Sequence, residues 1–156
     1  MKIGDPLPHI TLPATGNQSI TLSTQVGQPL VLYFYPRDDT PGCTQEGQDF
    51  RDNYNAFQAT HTLILGVSRD SVKQHEQFQA KYHFPFDLLA DENEQLCQLF
   101  NVIRLKNQFG KMVNGIERST FLFDSTGILR YEWRQVKVAG HVQEILKTID
   151  NLEKSC

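Results

Sequence analysis

The residues with the most chemical potential in this chain lie in one short stretch, Pro36-Arg37-Asp38-Asp39-Thr40-Pro41-Gly42-Cys43. Thr40-Pro41 reads as the start of a helix. Threonine is a good N-cap, and proline in the first helical position gives up an N–H that has no helical partner anyway. Cys43 then falls in the first helical turn, where backbone N–H groups converge and the positive end of the helix dipole favours a thiolate over a thiol. The plainer alternative is an inert cysteine packed beside Gly42. The polar neighbours Asp38, Asp39, Thr40 and Gln45 argue for a reactive sulfur instead.

The elements that must position this cysteine follow from hydrophobic periodicity. Short β-prone runs at 10–13 and 19–22 flank the turn formers Thr15-Gly16-Asn17, an N-terminal hairpin. Residues 29–35 are apolar on both alternating faces, which predicts a strand buried between two layers. Phe50, Tyr54 and Phe57 continue the helix that opens at Thr40 to about residue 59. A second buried strand is expected at 62–68, then a helix capped by Asp70 or Ser71 and running through Lys81, then a short strand at 86–90. A helix at 92–100 precedes a less regular stretch, 103–115, that carries Arg104, Lys106 and Lys111. Strands at 120–124 and 128–135 form a hairpin, and the last helix spans about 140–152. Helix-separated strands closed by an antiparallel hairpin predict an α/β fold, a mixed central sheet with helices on both faces.

Composition narrows the function classes. The 156 residues carry 15 Lys plus Arg against 18 Asp plus Glu, a formal charge of -3, so no basic surplus exists to hold nucleic acid or an anionic bilayer. Hydrophobic residues at 39% and charged residues at 21% are ordinary for a globular chain, and one domain over residues 1–156 is expected. Asp5, Pro6 and Pro8 interrupt the apolar stretch a secretory signal would need, and no run reaches membrane-spanning length. Three cysteines, Cys43, Cys97 and Cys156, are too few for a disulfide scaffold and point to a reducing cytoplasm. His9, His61, His75, His83 and His141 have no metal-ligand spacing with one another or with the cysteines, so no metal is expected.

The segment YPRDDTPGCTQEGQDFRD, residues 35–52, closely resembles the active-site stretch of peroxiredoxins of the bacterioferritin-comigratory-protein (peroxiredoxin Q) subfamily. Pro36, Thr40 and Cys43 meet its Pro-x3-Thr-x2-Cys pattern, and Glu117-Arg118-Ser119-Thr120-Phe121 and Gly140-His141-Val142 extend the match. The resemblance covers essentially the whole chain and implies a thioredoxin-like fold and a thiol peroxidase without a cofactor. Cys43 would be the peroxidatic nucleophile, oxidised to sulfenic acid by a hydroperoxide. By the same analogy Arg118 would serve both thiolate and peroxide with planar donors, Thr40 would donate to or accept from the peroxide, Pro36 would wall off water, and Glu46 would orient an arginine.

The pattern departs from the subfamily where the sulfenic acid must be resolved. Members carry a second cysteine five residues after the nucleophile or in the following helix, and here those positions are Gln48 and Gln79. Cys97 and Cys156 remain as resolving candidates in an atypical two-cysteine scheme. The favoured scheme is a one-cysteine cycle in which glutathione, glutaredoxin or a thioredoxin-like protein reduces a monomeric enzyme. The positions after Cys43 lack the C-x-x-C of a disulfide reductase. A thiol metallochaperone would want paired thiols or a His or Met ligand set, and a holdase would want an exposed apolar patch, for which the sequence gives no signature.

Overall fold

A computed structural model describes residues 1–154. Cys156 lies outside the described residues. Seven strands form one mixed sheet in the order β2-β1-β5-β4-β3-β8-β9. They are β1 (Thr11–Ala14), β2 (Gln18–Thr21), β3 (Leu30–Phe34), β4 (Leu63–Ser68), β5 (Asp87–Ala90), β8 (Ser119–Phe123) and β9 (Leu129–Trp133). The strands β3, β4 and β5 are parallel neighbours, joined through α1 (Pro41–Asp52), α2 (Tyr54–Ala59) and α3 (Val72–Tyr82), as parallel pairing requires a crossover. The N-terminal hairpin adds antiparallel to β5, and β8 antiparallel to β3. Two further elements are α4 (Gln95–Leu99) and α5 (His141–Lys154).

Every residue of β3 is buried, and its alternation divides the core in two. Leu30, Leu32 and Phe34 pack on one face with Leu96, Cys97 and Phe100 of the α4 region, whereas Val31, Tyr33 and Tyr35 pack on the other with Phe50, Phe57, Phe78 and Ile145. On this second face the helices rest on an aromatic layer. Tyr33 stacks on Phe50 at 4.5 Å between ring centroids, and Phe84 lies edge-on to Phe78 at 4.9 Å and stacked on Phe86 at 5.3 Å. The buried positions of α1, Cys43, Glu46, Gly47 and Phe50, repeat at helical spacing, so the same face that anchors the helix also carries the cysteine.

Four expectations need correction. The helix expected to run to about residue 59 is broken at Asn53, whose side-chain Nδ2 donates to the Asp49 carbonyl at 2.8 Å; the apolar spacing of Tyr54 and Phe57 simply spans the break. The helix expected from 92 starts only at Gln95, because Glu94 turns left-handed at φ 60° and Asp91 accepts from the amides of Leu96 and Cys97. The irregular stretch 103–115 is a regular hairpin, β6 (Ile103–Gln108) with β7 (Lys111–Ile116), turning at Phe109-Gly110, both at positive φ. It was hidden because most of its residues face solvent, which removes the apolar alternation. The same hairpin exposes Leu105, Phe109 and Met112, an apolar surface the composition did not announce.

The absence of a side chain at Gly47 is what lets α1 seat on the aromatic layer. A Cβ there would come within 2.4 Å of the Phe84 ring, itself wedged between Phe78 and Phe86. Gly47→Ala therefore gains the helix propensity of alanine but overpacks the core, and we expect a net loss of about 1–3 kcal/mol. Thermal unfolding should register it as a lower Tm, and an equal or higher Tm would refute the seating argument.

Candidate active site

The helix α1 begins where the sequence said it would, but not by the expected contact. Asp39 turns left-handed at φ 58°, Thr40 is extended, and Pro41 takes the first helical position. The first bond of the turn runs from the Thr44 amide to the Thr40 carbonyl at 2.8 Å, so the amides of Gly42 and Cys43 precede any helical acceptor. The Thr40 side chain does not cap the helix. Its hydroxyl donates to the Arg37 carbonyl at 2.9 Å, which closes the loop on itself and leaves the helix amides open.

Strand register brings the arginine to the cysteine. Phe34 of β3 pairs with Ser119 of β8, so Arg118 and Tyr35 are neighbours one step beyond the paired ends, immediately before Pro36. The Arg118 carbonyl is fixed by the Val136 amide at 3.0 Å. From there Nη1 donates to Glu46 Oε1 at 2.7 Å, and Nη2 lies 3.4 Å from Cys43 Sγ. Gly42 makes room for this approach, since a Cβ there would stand 3.0 Å from Nη2. Cys43 is only 2% exposed, so it is both buried and polar-contacted rather than one or the other. Pro36 and Thr40 line a cavity of about 390 Å³ on the solvent side of the loop.

Glu46 is fully buried and its Oε2 has no hydrogen-bond partner. Burial pushes its carboxyl up to about 7, against the opposing pull of Arg118. On the other side of the pair, burial is outweighed by Glu46 and then by the Cys43 sulfur, which hold Arg118 cationic. His141, at the start of α5, is kept neutral: burial first, then the Arg118 charge, lowers it to about 4, and its Nε2 meets the Thr120 hydroxyl at 2.9 Å.

Sequence reasoning missed the groups that hold the loop. Asp38 takes the Tyr35 hydroxyl on Oδ1 at 2.6 Å and faces His75 Nδ1 across 2.6 Å on Oδ2, while its amide donates to Asp70 at 2.8 Å. His75 is wholly buried in α3, and its Nε2 donates to the Leu89 carbonyl at 2.9 Å. One residue on, Asp39 receives Lys81 and the Tyr82 hydroxyl, each at 2.8 Å. Asp38, Asp70 and His75 thus gather polar atoms within 4.8 Å of one another, a grouping that linear spacing does not reveal, and hydrogen bonds account for each. The legible part of this brace was a cap at Asp70 or Ser71; the structure makes it Ser71, in a capping box with Gln74.

The other cysteine described lies elsewhere. Cys97 is fully buried on the opposite face of the sheet from Cys43, and burial, then Asp91, pushes its thiol far above the ordinary cysteine range. Of the basic residues expected near the site, Lys106 lines the cavity, and Arg104 is turned to Glu117 at 3.4 Å.

The raised Glu46 carboxyl makes stability depend on pH. The folded state holds the proton up to about 7, whereas the unfolded chain releases it near 4.5. This contribution is fully present below the unfolded value and is lost as pH rises through the folded one, roughly 3 kcal/mol in all. Glu46→Gln keeps the shape without the titration. Urea unfolding of both proteins from pH 5 to pH 8 should therefore find the variant gaining on the native protein by roughly 2–3 kcal/mol. A gap that does not move with pH would remove burial as the controlling influence on Glu46.

This arrangement can now be set beside known proteins. The sequence model of the AhpC/TSA family matches residues 3–132. Peroxiredoxin Bcp of Bacillus subtilis is 45% identical over 154 residues, covering 99% of this chain and 98% of that protein. Peroxiredoxin Bcp of Xanthomonas campestris is 49% identical over 140 residues, 90% of this chain and 88% of that protein. Among solved structures, a PrxQ mutant from Xylella fastidiosa superposes with a TM-score of 0.92 at 44% identity, covering 98% of each chain. The Xanthomonas campestris bacterioferritin comigratory protein, studied for alkyl peroxide reduction, superposes with a TM-score of 0.88 at 46% identity, covering 94% of this chain and 98% of that one. With a thioredoxin-like sheet and relatives of this extent, the chain belongs to the AhpC/TSA family, among the peroxiredoxins of the Bcp and peroxiredoxin Q group.

Proposed function

We propose that this thiol peroxidase reduces hydrogen peroxide and organic hydroperoxides at Cys43, in a one-cysteine cycle completed by an external thiol. The observation that carries the reading is the 3.4 Å approach of Arg118 Nη2 to Cys43 Sγ while Nη1 is fixed on Glu46. A guanidinium has five donors in one plane, so the N–H groups left over face the place where a peroxide would meet the sulfur. The free amides of Gly42 and Cys43 add to the same positive field.

In the proposed reaction the thiolate sulfur attacks the terminal peroxide oxygen. An S–O bond forms as the O–O bond breaks, Cys43 becomes a sulfenic acid, and the leaving oxygen takes a proton to depart as water or alcohol. Arg118 stabilises both the attacking sulfur and the charge growing on the leaving oxygen, and it is worth most in a site from which water is kept out. Pro36 helps keep water out, Thr40 holds the peroxide, and Glu46 acts only through Arg118 as a positioning residue. The peroxide assignment extends to this chain what is said of the Xanthomonas neighbour.

A one-cysteine cycle is favoured because Gln48 and Gln79 stand where the subfamily carries its resolving thiols. Cys97 would need to ionise inside an apolar core and cross the sheet to reach Cys43. We read residues 1–156 as one domain, acting as a monomer in a reducing cytoplasm. Among the described residues no helix is long and apolar enough to cross a membrane.

Intact-mass analysis after one equivalent of hydrogen peroxide, with a sulfenic-acid trap, should find a single adduct at Cys43 and no disulfide. Cys43→Ser should lose turnover entirely and keep its circular dichroism spectrum; substantial peroxide consumption by that variant would exclude Cys43 as nucleophile. A disulfide from Cys43 to Cys97 or Cys156 would replace the one-cysteine cycle. Gly42→Ala tests the arginine separately. The added methyl presses on Nη2, and moving a reacting group by a few tenths of an ångström should slow sulfenic-acid formation by about ten-fold with Tm unchanged or higher. A native rate in Gly42→Ala would mean the arginine's position is not critical.

A further inference from the structure

In the one-cysteine reading, oxidised Cys43 has no thiol near it among the described residues, and an external reductant would approach it by way of Pro36 and Thr40. Those two residues form one wall of the 390 Å³ cavity, and its remaining lining is strongly one-sided. Arg37, Arg69 and Lys106 contribute three cations, and no acidic residue lines it, in a chain whose net charge is -3. Arg69 is engaged by Glu94 at 2.9 Å from outside the cavity and by the Asn114 carbonyl at 3.1 Å. Arg37 has no ion-pair partner among the described residues. Lys106 lies back along the hairpin over Gly115, where a Cβ would meet its side chain at 3.0 Å, and its ammonium donates to the Ile116 carbonyl at 2.7 Å. Burial and then the Arg118 charge hold that ammonium below its ordinary value.

We propose that this cavity is the recognition site for the reducing co-substrate, a low-molecular-weight thiol that carries carboxylates. The inference rests on the reading of Cys43 as the oxidised sulfur. Lys106 and Arg37 would hold the carboxylates, with the thiol directed across Thr40 toward Cys43. The incoming thiolate attacks the sulfenic sulfur: an S–S bond forms, the S–O bond breaks, and hydroxide leaves to take a proton and become water. A second molecule of the thiol then attacks the mixed disulfide at the reductant's sulfur, which releases Cys43 as thiolate and the reductant as its own disulfide. Two thiols thus supply the two electrons that the peroxide removed. The concave shape and the volume suit a small molecule. A peroxide already finds its donors at Arg118 and needs no carboxylate.

The test separates the two half-reactions. Cys43 sulfenic acid is formed with one equivalent of hydrogen peroxide, confirmed by trapping, and then mixed with glutathione or with glutathione monoethyl ester, whose thiols differ little in intrinsic reactivity. The acid should react two- to ten-fold faster than the ester at low ionic strength, the span of a partly exposed charge pair. The ratio should fall with added salt. It should also fall in Lys106→Gln and persist in Lys147→Gln, a change on the exposed side of α5. A ratio near one in the native protein, or one that Lys106→Gln leaves intact, overturns the proposal. So does a carboxylate preference found only in the oxidation step, with a carboxylate-bearing hydroperoxide compared against its methyl ester. Failure to form any sulfenic acid at Cys43 instead overturns the underlying reading of the site, and the two failures are told apart in the first mixing step.

Discussion

A guanidinium held under the first turn of a helix by a buried carboxylate is expensive to arrange, and much of this fold serves to arrange it. Arg118 and Glu46 each lose water, and the orphaned Glu46 Oε2 means that the pair does not recover all of that cost. What it obtains is a donor fixed in both position and charge next to Cys43. Three separate features make that possible: the β3–β8 register, a glycine at 42, and a glycine at 47 that lets α1 sit low on the aromatic layer. None of them touches the sulfur, yet a shift in any one would move the arginine relative to it.

The loop before α1 is held with comparable care from the opposite side. Asp38 and Asp39 tie it to α3, and the Asp38 contact has a buried histidine as its partner. His75 Nδ1 lies 2.6 Å from Asp38 Oδ2 and its Nε2 donates to the Leu89 carbonyl, so the loop is fastened by polar contacts as well as by apolar packing. On the helix that braces the loop, Gln79 uses its amide to hold the Phe86 carbonyl at 2.8 Å.

The reach of the sequence follows from the distance over which each signal acts. The helix start at Pro41, the buried strand β3 and a helix capped at Asp70 or Ser71 are local, and all were readable; the structure shows the cap to be Ser71. Glu46 came from the family resemblance, and only the structure shows it sharing one buried face of the helix with Cys43 and Phe50. Arg118 needed the family resemblance, because nothing local distinguishes it from a surface arginine. The Asp38–His75 contact joins residues far apart in the chain and was invisible. So was the β6–β7 hairpin, whose solvent-facing residues carry no periodic burial. The direction of the Thr40 hydroxyl was misread for a subtler reason: its sequence position fits a cap, which would accept from a helix amide, but the side chain is turned instead to donate to the Arg37 carbonyl.

That lost proton defines what the loop can recognise. A hydroxyl already donating to a carbonyl has only lone pairs left to offer, so Thr40 can face an incoming molecule only as an acceptor. In the proposed reaction its complement is the O–H of a protonated hydroperoxide. A hydroperoxide anion would set lone pair against lone pair, and a dialkyl peroxide would bring no hydrogen at all. Selection between these oxidants would then rest on a single carbonyl three residues before the threonine.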